Sequence, residues 1–215
     1  MLESKQNKQA STGASILVWD VPVRVFHWLM ALCFAGAYLT AESEQWRLVH
    51  VTLGYTMAGL IAFRLVWGLI GSRYARFGQF VRGPAAVAGY LRSLLHGKPQ
   101  HFLGHNPAGA LAILGLLALG AATTATGWAA FQESSAELWE EVHETFANLM
   151  LALVLLHIAA VIASSRLHHE NLVASMFNGE KAGQPDQGIR RGWHSIGLLV
   201  LLGVAAFWWL QWKMS

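Results

Sequence analysis

Cysteine occurs once in the 215 residues, as Cys33 inside an apolar run. A single thiol excludes a disulfide framework, a cysteine zinc site, an iron–sulfur cluster and a covalently attached c-type haem, which needs C-x-x-C-H. Cys33 reads as a small packing residue. Charge is scarce as well: 13% of the residues are Asp, Glu, Lys or Arg, about half the share of a soluble domain. What is plentiful is apolar, with 54% hydrophobic residues and ten Trp. This is the composition of a chain solvated by lipid.

Five apolar segments follow one another at about 25–42, 48–70, 107–130, 143–165 and 193–212. Each suits one crossing of ~20 residues, and none is long enough for two. The pattern predicts an all-α integral membrane protein. Residues 1–15 form a disordered tail, 16–180 a four-helix membrane domain, and 181–215 a linker with a fifth transmembrane helix. The first segment reads as an uncleaved anchor rather than a signal peptide, because Arg24 and His27 open it and four more spans follow.

Loop charge sets the orientation. With the N-terminus inside, the inner segments 1–24, 71–106 and 166–192 hold 12 of the 15 Lys and Arg residues, as the positive-inside rule requires. Seven of the twelve acids (Glu42, Glu44, Glu133, Glu137, Glu140, Glu141 and Glu144) fall in the two outer connections. The expected topology has the N-terminus inside and, after five crossings, the C-terminus outside. Basic residues segregated by loop, rather than gathered in one patch, also exclude nucleic acid as a partner.

Within the second inner loop, Pro84 starts a short helix and Gly97 and Pro99 stop it. Val87, Tyr90, Leu91, Leu94 and Leu95 share one face, as in a helix lying in the interface. Ser134 with Glu137 makes a capping box, so the fourth membrane helix is expected from about Ser135.

Ten histidines are many for such a chain. His96, His101, His168, His169 and His194 fall in inner loops or helix ends and read as solvated interfacial residues, while His105 in Gly104-His105-Asn106-Pro107 reads as a helix starter. His27, His50, His143 and His157 differ, since they lie in apolar helical sequence, where an ionisable group is costly and points to function. His143 and His157 are 14 residues apart, which is ~21 Å along a helix and within ~40° of one face. On the first hairpin His27 lies about 17 residues from the turn and His50 about 6, a vertical separation of ~16 Å. Two levels result: His27 with His157 inside, and His50 with His143 outside.

Two imidazoles at each of two levels are what two six-coordinate haem irons require, and such irons carry electrons rather than bind oxygen or substrate. Ala31, Gly54 and Ala147, one turn from these histidines, would let a flat macrocycle approach. Arg64 stands 14 residues after His50, level with the inner pair; it either pairs with haem propionates or snorkels to the inner surface. Arg24, one turn before His27, carries the same two readings.

At these residues the chain resembles the bacterial di-haem cytochrome b-561 family, which includes the cytochrome b subunits of nickel–iron hydrogenases. The resemblance covers roughly 17–180. It lies in Val18-Trp19-Asp20, Pro22, Arg24 and His27-Trp28, then in Arg47, His50, Gly54, Arg64, Trp67-Gly68, Gly71 and Tyr74-Ala75-Arg76-Phe77. It continues in Gly104-His105-Asn106-Pro107-Ala108-Gly109, His143 and His157. It implies a four-helix core holding two non-covalent b-type haems with the same pairing as the depths, and electron transfer between membrane quinones and a redox partner. The fifth segment, rich in Trp193, Trp208, Trp209 and Trp212, exceeds the shortest members and reads as an interfacial belt and a docking helix for a partner.

The function expected is electron transfer between the quinone pool and a periplasmic carrier such as a c-type cytochrome, which the acidic connection Glu133–Glu144 could guide. Quinone is expected near the inner haem by Arg24, Trp28, Arg64 or Arg73. The alternative is the membrane anchor and quinone-reducing subunit of a nickel–iron hydrogenase. From other classes, a histidine-lined proton or metal transporter would bring broken helices and inverted repeats, and neither is seen; a purely structural anchor would leave the histidines dispensable.

Overall fold

The computed structural model describes residues 14–97, 100–132 and 136–214. Strand β1 (Ala14–Leu17) leads into α1 (Val21–Thr40), and a 3-10 turn at Glu44–Trp46 turns the chain into α2 (Arg47–Ile70). Two short helices, α3 (Phe77–Phe80) and α4 (Pro84–Leu95), precede α5 (Pro107–Gln132) and α6 (Ala136–Leu167). Then come α7 (Leu172–Asn178), β2 (Glu180–Gly183), a 3-10 turn at Pro185–Gln187 and α8 (His194–Met214). Five of these helices are long and apolar enough to cross a membrane.

The helix starts have local causes. α1 begins at Val21, four residues before the expected position, because the Asp20 carboxylate accepts from Val23 N at 2.8 Å and Pro22 is pre-set for a first turn. α5 is capped by Asn106, whose Oδ1 accepts from Gly109 N at 2.7 Å. The expected Ser134 cap, the Pro99 stop and residues 1–13 of the expected tail lie outside the described residues.

α5 and α6 pack along each other, α1 along α2, and α2 along α5. Midway between the two histidine levels Cys33, Phe34, Met57 and Met150 form a buried cluster, filled out by Leu53 and Leu119. Cys33 is the packing residue expected of it. α8 lies against α1 and α2, with Gly197 seated on Val21 and Trp208 Nε1 donating to Thr56 Oγ1 at 2.8 Å. Only 6% of the apolar window is buried in Glu137–Leu167 and in His194–Met214; with the hydrocarbon solvent these helices need, their outer faces meet lipid.

Two features depart from expectation. Ala14 and Ser15, assigned to the tail, belong to β1, which pairs antiparallel with β2 from Ala14↔Gly183 to Leu17↔Glu180. The segment after 180 therefore begins as part of the domain rather than as a free linker. Lys181 is 6% exposed, its ammonium bonded to Glu170 at 2.9 Å and to the Phe102 carbonyl at 3.3 Å. Gly179 makes this clip possible: its φ is +86°, a Cβ there would stand 2.6 Å from Trp19 O, and its own carbonyl accepts from Val18 N and Trp19 N. The short helix α4 likewise divides its apolar side chains. Tyr90 is buried while Leu91 and Leu95 are exposed, so the single expected stripe serves two neighbours.

The bundle thus has a clip end, carrying β1, β2, α3, α4 and α7, and a hairpin end, where α1 turns into α2 and α5 into α6.

Candidate functional site

At the hairpin end α2 and α6 bring His50 and His143 together edge-on, ring centroids 6.0 Å apart and planes at 81°. Each ring is tied to a carbonyl of a neighbouring helix. His50 Nδ1 lies 2.8 Å from Ala37 O, and His143 Nδ1 lies 2.9 Å from Thr123 O. An N–H donated at Nδ1 fixes the tautomer and leaves Nε2 with its lone pair, the arrangement of an oriented metal ligand. Gly127 makes room for the second ring, since a Cβ there would sit 2.8 Å from His143 Cε1.

At the clip end His27 on α1 and His157 on α6 lie within electrostatic reach of one another. Both are half-buried, and His27 Nδ1 has no hydrogen-bond partner. Arg64 of α2 stands in the same region, 2% exposed, over the Phe77 ring at 4.8 Å with Nη1 unpaired. At this burial the guanidinium does not snorkel to the surface. Arg24 donates through Nη1 to Phe177 O and leaves Nε unpaired. Trp28 Nε1 donates to Met176 O at 3.1 Å while its ring stacks on Phe177 at 4.2 Å. α7 is thereby clamped over the start of α1.

Two residues matter more here than their sequence context suggested. Asp20 is 1% exposed, and both its oxygens are engaged, Oδ1 in the helix cap and Oδ2 by Trp67 Nε1 at 3.0 Å. It joins the start of α1 to the end of α2 and supplies negative charge within reach of Arg24 and Arg64. His105 leaves the capping of α5 to Asn106 and instead packs between Trp19, stacked at 4.5 Å, and Phe80, edge-on at 4.7 Å. Burial, with Arg64, Lys181, His157 and His27 adding to it, pushes its pKa down to about 3, so the ring is neutral at physiological pH.

Of the small residues one turn from the histidines, Gly54 has open space beside it, with no atom within 4 Å of where a Cβ would be. Among the described residues no group of three or more His, Cys, Asp or Glu could hold a metal ion. Paired imidazoles suit a metal that brings further ligands of its own.

A family model described as prokaryotic cytochrome b561 matches residues 18–179, three quarters of the chain. The chain belongs to the prokaryotic cytochrome b561 family. As a cytochrome b561 it is a haem-binding, multi-pass electron-transport protein of a membrane, and the matched span takes in His27, His50, His143 and His157. Among curated relatives, the probable Ni/Fe-hydrogenase B-type cytochrome subunit of Rhizobium leguminosarum bv. viciae is 22% identical over 221 residues, covering 81% of this chain and 92% of that protein. The protein of the same printed name from Azotobacter vinelandii is 23% identical over 233 residues, covering 86% and 94%. The probable Ni/Fe-hydrogenase 1 B-type cytochrome subunit of Escherichia coli K12 is 26% identical over 155 residues, covering 60% and 65%. No solved structure matches the chain.

Proposed function

We propose that this cytochrome b561 carries electrons across a bacterial cytoplasmic membrane through two haems b, each held by two histidines. His27 with His157 would hold the haem at the clip end, and His50 with His143 the one at the hairpin end. The observation that carries the reading is the hairpin-end pair. Two imidazoles that share a metal through nitrogens at ~2.0–2.1 Å have ring centroids about 6 Å apart, which matches the 6.0 Å between His50 and His143. Held by two histidines, each haem would supply an iron that changes by one electron and would leave no place for oxygen or substrate.

The chain's own residues do the rest. The carbonyls of Ala37 and Thr123 orient the hairpin-end rings and keep Nε2 deprotonated. Arg64, buried with an unpaired nitrogen, offers a propionate a charge-assisted bond, and Arg24 offers its unpaired Nε near the same level. The cluster around Cys33, Phe34, Met57 and Met150 keeps water out between the levels.

Loop charge supports a clip end on the cytoplasmic side and a hairpin end in the periplasm. The printed names of the relatives favour a hydrogenase as the redox partner, which in this reading donates electrons on the periplasmic side while quinone is reduced at the clip end beside Arg24 and Trp28. A periplasmic c-type cytochrome is the second reading, favoured by the exposed Glu137, Glu140, Glu141 and Glu144 on the first turns of α6.

The test is haem stoichiometry and the absorption spectrum of four single variants. His27→Ala and His157→Ala should each lose the same one of two haems, and His50→Ala and His143→Ala the other. Losses grouped in any other way would overturn the pairing.

A further inference from the structure

A cavity of about 650 Å³ opens at the clip end between the end of α2, α3, the loop before α5 and the β2 edge. None of its lining residues belongs to α1 or α6, and His105 of its wall lies within electrostatic reach of His27 and His157. Its wall carries Arg73, Arg82 and His101 and no carboxylate. The Arg73 guanidinium lies over the Tyr74 ring at 5.4 Å, and that of Arg82 over the Phe102 ring at 5.3 Å. Stacking on a ring face leaves the N–H edges of both groups available to an anion.

Neither arginine has a carboxylate partner among the described residues. Glu170, the acid that approaches the lining residue His101 at 3.7 Å, is itself taken by Lys181 at 2.9 Å. The Tyr74 hydroxyl donates to Gln187 O at 2.9 Å, which fixes the far wall. The cavity is therefore a preformed, positively charged recess with an aromatic floor.

Its depth identifies the occupant. Arg73 lies three residues beyond Ile70, which is 72% exposed on a membrane helix, and Arg82 lies two before α4, whose Leu91 and Leu95 are exposed. Both arginines thus stand at headgroup height, flanked by apolar side chains that need acyl chains for solvent. Basic recesses between membrane helices on the cytoplasmic side suit anionic headgroups. We propose that this cavity binds the phosphate of an acidic phospholipid, with Arg73 and Arg82 as its two charged contacts.

The test uses the full-length, haem-loaded protein in a neutral detergent, with bound lipid counted by native mass spectrometry after adding phosphatidylglycerol or phosphatidylcholine. One phosphatidylglycerol should be retained with on the order of thirtyfold preference, as two arginines near a lipid phosphate imply. Arg73→Gln/Arg82→Gln should bring the preference close to parity, with the haem spectrum unchanged. Arg190→Gln/Arg191→Gln, which removes the same charge from the exposed segment before α8, should keep it. If the first pair fails to fold, Arg82→Gln alone should lower the preference about fivefold. A preference that survives the loss of Arg82, or that falls equally in the Arg190/Arg191 pair, would overturn the site. Displacement of the lipid from the unaltered protein by millimolar inorganic phosphate would overturn its assignment to lipid and leave a free-anion site.

Discussion

Replacing Asp20 by Asn keeps the heavy-atom count and nearly the same shape, yet it should weaken the clip end substantially. The carboxylate accepts two N–H groups at once, Val23 N at 2.8 Å and Trp67 Nε1 at 3.0 Å, in a site where it is 1% exposed. An amide has one oxygen and one NH2, so whichever way it turns, one donor faces another donor. Leaving a buried N–H unsatisfied costs about 1–3 kcal/mol. The lost negative charge adds to this, because Arg64, 2% exposed, has Asp20 as the acid within its reach. A total of about 2–3 kcal/mol corresponds to a fall of roughly 5–10 °C in Tm for a chain of this size. The assay is thermal unfolding in detergent, read by loss of the haem absorbance. A cycle with Trp67→Phe isolates the cause: with the indole donor gone, Asp20→Asn should cost about 1–2 kcal/mol less. Strict additivity of the two changes would refute the bond as the source of the effect.

Further outcomes follow from single features. Gly127→Ala should push the His143 ring out of place, since a Cβ would stand 2.8 Å from its Cε1; haem analysis should find the hairpin-end haem depleted and the other intact. Gly179→Ala combines a φ of +86° with a Cβ 2.6 Å from Trp19 O and should destabilise by more than about 1 kcal/mol, seen as a lower Tm with easier proteolysis near β1. His105 has a folded pKa pushed down to about 3, below the ordinary 6.5. The unfolded chain therefore takes up a proton there first, and stability falls as pH drops from about 6.5 towards 3. By pH 5 the loss is about 2 kcal/mol; His105→Phe, which can keep the stacking on Trp19, should remove that part of the pH dependence of Tm.

The membrane helices and the histidine levels could be read from the sequence because lipid imposes simple rules. A span must be apolar for ~20 residues, and a helix rises a fixed distance per residue, so depth follows from counting. The meeting of His50 with His143 was anticipated in this way, although not the carbonyls of Ala37 and Thr123 that aim the rings. Other features depend on partners far along the chain. Asp20 is a lone acid until Trp67, 47 positions on, lies beside it. Gly127 is one small residue in a run of Ala, Gly and Thr, and only the position of His143 singles it out. Strands of four residues carry too little alternation to show, which hid β1 and β2. That Arg64 stays away from the surface is a matter of three-dimensional burial, which one dimension does not show.

The strand pair at the clip end also bears on biogenesis. Ser15 Oγ donates to Glu180 Oε2 at 2.6 Å across 165 positions of chain. During synthesis from the N-terminus, that contact has to wait until four spans have been made and inserted. The clip end therefore closes last, and the α7 contacts with Arg24 and Trp28 form only once the rest of the bundle is in place.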